Sequence, residues 1–288
     1  MEIIRQQVPD SYKLSFLGDK QIGNIAFSES KFLEVRERIL SEQYNYVIDM
    51  GDAIEAFWVN DPRYNFQSHK ITVAEQKKTD NELLLPLVQE GRLIGKLIGN
   101  HEWKVMNSYG DIVKEQCEDL QKDSNSELPH YAGYSAKFEL VDSFGIQFKV
   151  YTTHGRKQVS SVSPDKHRRR AYLQFRLKRL LEDMAGDCII MARAHSHIVL
   201  VTPPIPTVYL TNEDDELVQH YTKAGIGASE DYIPPDERWY LCSGSFLRSQ
   251  YINIVTYTEV LELPPVELGY CEAIIEDRKV VDVREVKI

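Results

Sequence analysis

Tyr46-Val47-Ile48-Asp49-Met50-Gly51-Asp52-Ala53-Ile54-Glu55 is the stretch that decides the fold. A short run of β-forming side chains stops at a glycine, and an aspartate follows at once. That is a strand leaving a sheet through a sharp turn with a carboxylate in hand. The same pattern recurs along the chain. Gly18-Asp19-Lys20-Gln21-Ile22-Gly23 follows LSFL, Gly99-Asn100-His101-Glu102 follows LIGKLI, His154-Gly155 follows FKVYTT, and His195-Ser196-His197 follows CIIMARA. In open α/β sheets the carboxyl ends of parallel strands share one edge, where ligands bind. If these strands are parallel, Asp19, Gln21, Asp52, Asn100 and the four histidines His101, His154, His195 and His197 meet there.

Working outward, strand candidates are Tyr12–Leu17, Tyr46–Met50, Leu93–Ile98, Gln147–Thr152, Asp187–Ala192, Ile198–Val201, Val208–Leu210, Trp239–Cys242, Tyr251–Tyr257, Tyr270–Ile275 and Val280–Val286. Helix candidates are Lys31–Glu42, Val73–Glu90, Trp103–Leu120 and Lys166–Met184; in the last, Leu173, Leu177, Leu180, Leu181 and Met184 fall on one face, with Gly186 as the stop. Strands alternate with helices first and dominate later. The expectation is an α/β fold with a partly parallel sheet and a second, more antiparallel one from the late strands. Residues 57–72 and 211–237 read as long connections, either surface excursions or walls of a site. The first holds Trp58, Tyr64, Phe66 and His69, of which the Trp58, Tyr64 and Phe66 rings suit base stacking or core or lid packing; the second holds Gly225, Gly227, Pro234 and Pro235.

Composition narrows the class. The 288 residues are 42% hydrophobic, enough for a large core, and no repeat or low-complexity tract interrupts them. The chain is read as one domain over 1–288. Lys and Arg number 34 against 44 Asp and Glu, a net charge of −10, which excludes the broad basic surface of a non-specific duplex binder. The cysteines at 117, 188, 242 and 271 form no C-x-x-C pair and read as reduced thiols. No apolar run approaches the ~20 residues of a membrane helix, and MEIIRQQVPDSYKLSF has no signal-peptide core. A cytoplasmic protein without a membrane partner is expected.

Carboxylates packed together are costly unless cations neutralise them. Imidazole, carboxylate and amide oxygen together suit Mn, Fe, Zn, Co or Ni. The donors exceed what one ion takes, so two divalent ions sharing a carboxylate is the economical reading. Here the ordered set resembles the calcineurin-like metallophosphoesterase superfamily, whose pattern is D-x-H, GD-x-x-D, GNH-E/D, a lone H and GH-x-H. The resemblance runs from Asp19 to His197, with GNHE and H-S-H its most specific elements. It implies an α/β/β/α architecture, two mixed β-sheets packed face to face with flanking helices. It also implies that Asp19, Gln21 and His197 hold one metal, that Asn100, His154 and His195 hold the other, and that Asp52 bridges them. His101 would stand beside the scissile phosphate as general acid. Glu55 occupies the place of a supporting carboxylate, which would fix the tautomer of that histidine.

Departures from the pattern bear on the branch. Gln21 replaces the usual histidine, a harder and neutral ligand that leans the first site toward Mn or Mg; the ADP-ribose and CDP-alcohol diphosphatases resemble this D-x-Q form. Ala194 replaces the glycine before H-x-H. Ile98 and Ala56 stand where Ser/Thr protein phosphatases carry arginines, which counts against that branch. The resemblance therefore implies hydrolysis of a phosphate ester, preferably a diester of nucleotide or nucleic-acid type, with Mn²⁺ foremost and Mg²⁺, Fe, Zn²⁺ or Ni²⁺ as alternatives. Rival readings are a nuclease similar to the SbcD branch, a phosphomonoesterase, and a non-catalytic scaffold of the same fold. Arg169, Arg176 and Arg179 share one side of a basic helix; they read either as a nucleic-acid or polyphosphate contact or as its wet face. His69, His130, His167 and His220 match nothing in the pattern.

Overall fold

Side chains point alternately to the two faces of a strand, and here both faces of the central strands are greasy. The structure is a computed structural model and describes residues 1–57, 61, 64, 69, 71–222 and 231–288. Its elements are β1 (Glu2–Gln7), β2 (Tyr12–Leu17), α1 (Glu29–Ser41), β3 (Asn45–Asp49), α2 (Val73–Gln89), β4 (Leu93–Lys96), α3 (Asn100–Tyr109), α4 (Ile112–Ser124), β5 (His130–Tyr131), β6 (Ser135–Asp142), β7 (Gly145–Thr153), α5 (Lys166–Leu181), β8 (Ile190–Arg193) and β9 (Val199–Thr202). The hairpin β10 (Val208–Glu213) and β11 (Glu216–Tyr221) follows, then β12 (Trp239–Ser243), α6 (Tyr257–Val260), β13 (Gly269–Glu276) and β14 (Lys279–Lys287).

Two six-stranded sheets result, ordered β14-β13-β2-β3-β4-β5 and β1-β6-β7-β8-β12-β9. Both are mixed: β2, β3, β4 and β5 run parallel in the first, β7, β8 and β12 in the second. Leu14, Phe16 and Ile48 of one sheet share a buried cluster with Phe138, Val150, Ile190 and Leu241 of the other, so the sheets face each other. The alternate residues face outward. Leu17, Val47 and Leu93 pack with Phe32, Val35, Ile39, Leu84 and Leu87 of α1 and α2; Tyr151, Met191 and Tyr240 pack with Leu177 and Leu181 of α5. This is the expected α/β/β/α order.

Several boundaries differ from the sequence reading. The late strands do not make a sheet of their own: β13 pairs with β2, and β1 joins β6 at the far edge of the other sheet. The span Trp103–Leu120 is cut into α3 and α4 at Gly110 (φ 78°), where Asp111 accepts from the Lys114 amide and starts a new helix. Tyr251–Tyr257 is not a strand; Asn253 turns left-handed between a lone bridge, and the chain enters α6. Helix α5 ends at Leu181, leaving Met184 exposed beyond the leucine face. The connection 211–237 is partly the β10–β11 hairpin; Gly225 and Gly227, like Trp58 and Phe66, lie outside the described residues. No described helix is long and apolar enough to cross a membrane.

Beneath the carboxyl ends of β2, β3 and β4 lie four charges without access to water. Lys20 Nζ contacts Asp49 Oδ2 (2.7 Å) and Asp80 Oδ1 (2.8 Å), and Lys96 Nζ contacts Asp49 Oδ2 (2.9 Å) and Asp80 Oδ2 (2.8 Å). Gln116 of α4 adds a hydrogen bond to Asp80 (2.9 Å). Burial opposes ionisation of Asp49, but the two ammonium groups outweigh it and hold its carboxyl well below the usual range. Removing one member strands a buried charge, so Lys96→Met should lower the unfolding free energy by about 3–5 kcal/mol. An unchanged urea midpoint would show that the four charges do not neutralise one another. Burial also pushes the Cys117 and Cys188 thiols up to about 12 and Cys242 up to about 11. A thiol reagent at about pH 8 should therefore label none of the four buried cysteines until the protein is unfolded.

Candidate metal centre

The loops that follow these strands are laced together through their main chains. Asp19 N donates to Gly51 O (3.0 Å), Gln21 N to Asp52 O (2.9 Å) and Ile22 N to Ala53 O (2.9 Å). Other contacts cross between the sheets; among them, His195 N donates to Asp19 Oδ2 (3.0 Å), and His154 Nδ1 pairs with the Met50 carbonyl (2.8 Å). Gly99 is required here, because a Cβ on it would stand 2.0 Å from the Asp52 nitrogen. Glu102 ties the loops after β3 and β4 to each other. As the third residue of α3, its carboxylate accepts from Gly99 N (2.9 Å), Asp52 N (3.2 Å) and Ile54 N (3.1 Å).

The seven residues read as ligands come together in two groups. In one, Asp52 Oδ2 lies 3.1 Å from His154 Nε2, and Asn100 Oδ1 lies 3.2 Å from the same nitrogen. Donor atoms of Asp52, His154 and His195 all fall within 4.8 Å of one another. In the other, Asp19 Oδ1 lies 3.2 Å from His197 Nε2, and the Gln21 amide lies 3.3 Å from that nitrogen. All seven are buried or nearly so.

This set fits a divalent ion on its chemistry. With the Nδ1–H of His154 held by Met50, its Nε2 lone pair faces the Asn100 oxygen and the Asp52 carboxylate, lone pair to lone pair. A cation between them removes that repulsion; without one, the Asn100 amide turned over would donate to His154, His195 and Asp52 instead. Asp19 Oδ1 is buried with no hydrogen bond despite its closeness to His197. With no cation at His154, a proton on its Nε2 does the same work: burial opposes it, but the Asp52 carboxylate lifts His154 to about 9, so a bound ion would take the place of that proton. Burial and the neighbouring His154 push His195 down to about 4.

The backbone supports the grouping independently. Asp19 (52°), Gln21 (50°), Asp52 (50°), His195 (73°) and His197 (50°) all have positive φ. Non-glycine residues take this left-handed conformation uncommonly, at a cost the surrounding structure must offset.

His101 stands beside the groups. Its backbone N donates to Asp52 Oδ1 (2.8 Å), while its Nε2 is 3.8 Å from Asp52 Oδ2. The expected support from the Glu55 carboxylate is not what the structure has. The main-chain carbonyl of Glu55 takes His101 Nδ1 (2.7 Å), and the carboxylate turns instead toward His69 Nε2 (3.5 Å). The reason is local: Glu55 N is tied to Ile22 O, which aims the carbonyl at the imidazole. Phe57 stacks on His101 at 4.9 Å and lies 5.1 Å from the His69 ring.

Of the basic helix, Arg169 Nε donates to the Ser163 carbonyl (2.9 Å), Arg179 pairs with Glu182, and Arg176 is exposed; none of these contacts is to a ligand residue. The sequence reading missed the roles of Glu102, His69 and Gln158, whose amide lies 3.2 Å from His195 Nε2. Glu102 had a signal, since glycine followed three residues later by glutamate is a capping pattern. His69 and Gln158 had none.

No family model and no curated protein matches this sequence. Solved structures similar to it include the NAD nucleotidase NadN of Haemophilus influenzae, at a TM-score of 0.38 and 13% identity over 96% of this chain and 50% of that one. Another is a protein serine/threonine phosphatase from Saccharomyces cerevisiae with similarity to human phosphatase PP5, at a TM-score of 0.32 and 10% identity over 99% of this chain and 84% of that one. The chain thus spans about half the length of the nucleotidase.

Gln21→His would exchange an amide for an imidazole beside His197. Titration of the metal-free protein with Mn²⁺ should show the weaker binding step tightened by roughly tenfold, about 1.4 kcal/mol. Unchanged affinity would place residue 21 outside the coordination sphere.

Proposed function

We propose that this chain, read as one unit over residues 1–288, is a metal-dependent phosphoesterase. Its substrates would be phosphodiesters of the nucleotide class: nucleic-acid ends, cyclic nucleotides or nucleotide diphosphate conjugates. The observation that carries the reading is the position of His101, at the edge of two clusters of acceptor groups and outside both. Asp19, Gln21 and His197 would hold one ion, Asn100, His154 and His195 the other, and Asp52 would be shared. Two divalent ions, manganese foremost, would acidify water and draw in phosphate oxygens.

The chain's own part is to orient and to move a proton. The Glu55 carbonyl keeps the Nδ1–H of His101 occupied, so Nε2 is the nitrogen left to give a proton to a departing alkoxide oxygen. The Asp52 carboxylate lies 3.8 Å from that nitrogen, on the side of the two clusters. Phe57, stacked on the ring, shields one face from water. An acid is worth most where the leaving group is poor, which favours alkyl diesters over activated esters. The buried, unpaired thiols suit a reducing, cytoplasmic setting.

A panel of bis- and mono-nitrophenyl phosphates, cyclic nucleotides and labelled DNA and RNA, run with Mn²⁺, Mg²⁺, Zn²⁺ or EDTA, tests the reading. Activity on diesters should vanish with EDTA and in Asp52→Asn; a wild-type rate in that variant would refute a shared carboxylate. His101→Ala should keep its metal content and lose ~10²–10⁴-fold in rate, most on poor leaving groups. Less than about one ion per chain after Mn²⁺ loading would favour a scaffold instead.

A further inference from the structure

We propose that the β10–β11 hairpin is a dimerisation arm whose apolar face packs on the same face of a second copy of this chain. The hairpin belongs to neither six-stranded sheet, and an isolated two-stranded hairpin is marginal in water. Its register sorts the side chains. Val208 pairs with Tyr221, Leu210 with Gln219 and Asn212 with Leu217 on one face; Tyr209, Thr211, Glu213 and their partners take the other. The second face closes on itself, for Tyr209 stacks on His220 at 5.4 Å, and His220 reaches Thr211 (2.7 Å) and Glu213 (2.9 Å). On the first, Gln219 Nε2 donates to the Tyr221 hydroxyl (3.2 Å), but Val208 is 51% exposed, Leu210 62%, Leu217 77% and Tyr221 62%.

Two features select a second copy as the occupant. The apolar face carries no formal charge, so it is complementary to itself across a two-fold axis. The tip is Glu213-Asp214-Asp215-Glu216, four acids in succession. Tips side by side would repel, whereas an antiparallel arrangement separates them and sends each toward the base of the other hairpin. Near that base lies α5: Ile205 N donates to Asp236 O (2.7 Å), and Asp236 pairs with Lys178. Helix α5 exposes Arg168, Arg169, Arg176 and Arg179 in a chain of net charge −10. One hairpin face is small against the ~1,600 Å² of a stable interface. The tip-to-helix contact, made twice, supplies the remainder.

Sedimentation equilibrium on the full chain tests this without reference to catalysis. A dimer is expected at micromolar concentration, weakened by about 0.5 M salt. Leu217→Glu, at an exposed position, should weaken it by at least roughly tenfold with the unfolding midpoint unchanged. Glu213→Lys with Glu216→Lys should weaken it, as should Arg176→Glu with Arg179→Glu, and the four together should recover it. A monomer at about 100 µM, a dimer indifferent to Leu217→Glu, or failure of the combined set to recover would overturn the proposal. So would single-stranded nucleic acid binding to α5 of a chain that stays monomeric.

Discussion

Lys20, Asp49, Asp80 and Lys96 touch one another at 2.7–2.9 Å in a place water does not reach, and the site above depends on that contact. Lys20 lies between Asp19 and Gln21, Asp49 ends the strand that delivers Asp52, and Lys96 ends the one that delivers Asn100. Asp80 brings in α2, and Gln116 brings in α4. Apolar side chains of similar volume could fill the same space at no loss of stability. They would not set a distance, because hydrophobic attraction has no direction. Each ammonium meets both carboxylates, so a shift of any one loop stretches two contacts, and the three loops keep a common register.

That register sustains an uncomfortable backbone. Five of the seven ligand candidates sit at positive φ, each at a cost of about 1–3 kcal/mol. The cost is offset where it arises: Asp19 N and Gln21 N find carbonyls across the loop, and Glu102 collects three amides. The conformation turns side chains inward from successive positions. Asp19 and Gln21, two residues apart, both reach His197 Nε2, while His195 and His197, also two apart, serve the two different groups.

The site was legible in the sequence because its signals are local. A β run, a glycine and a polar residue lie within a few positions, and the structure brings all seven such residues together. What depended on distant partners was not legible. β13 and β14 look like an independent antiparallel pair, yet β13 lies beside β2 because the two bury a common face. The alternating polar residues of β6 hid a central strand whose Phe138 and Leu140 face the core. Tyr251–Tyr257 has the composition of a strand but no edge to pair with. At Glu55 it is the main-chain carbonyl, not the carboxylate, that meets the His101 ring. Sequence places a residue beside a histidine, but the hydrogen bonds of its own backbone decide whether carboxylate or carbonyl faces it.

The two groups of acceptors are not alike. His154, His195 and Asn100 give one half two imidazoles, of which His154 is oriented by the Met50 carbonyl. Asp19, Gln21 and His197 give the other half a single imidazole between two oxygen-bearing side chains. Nitrogen-rich surroundings suit borderline ions, while carboxylate and amide oxygens suit harder ones that keep their water. Asp52 is tied into both halves, its carboxylate at His154 and its main-chain carbonyl at the amide of Gln21. A shift of that one residue therefore moves both groups together.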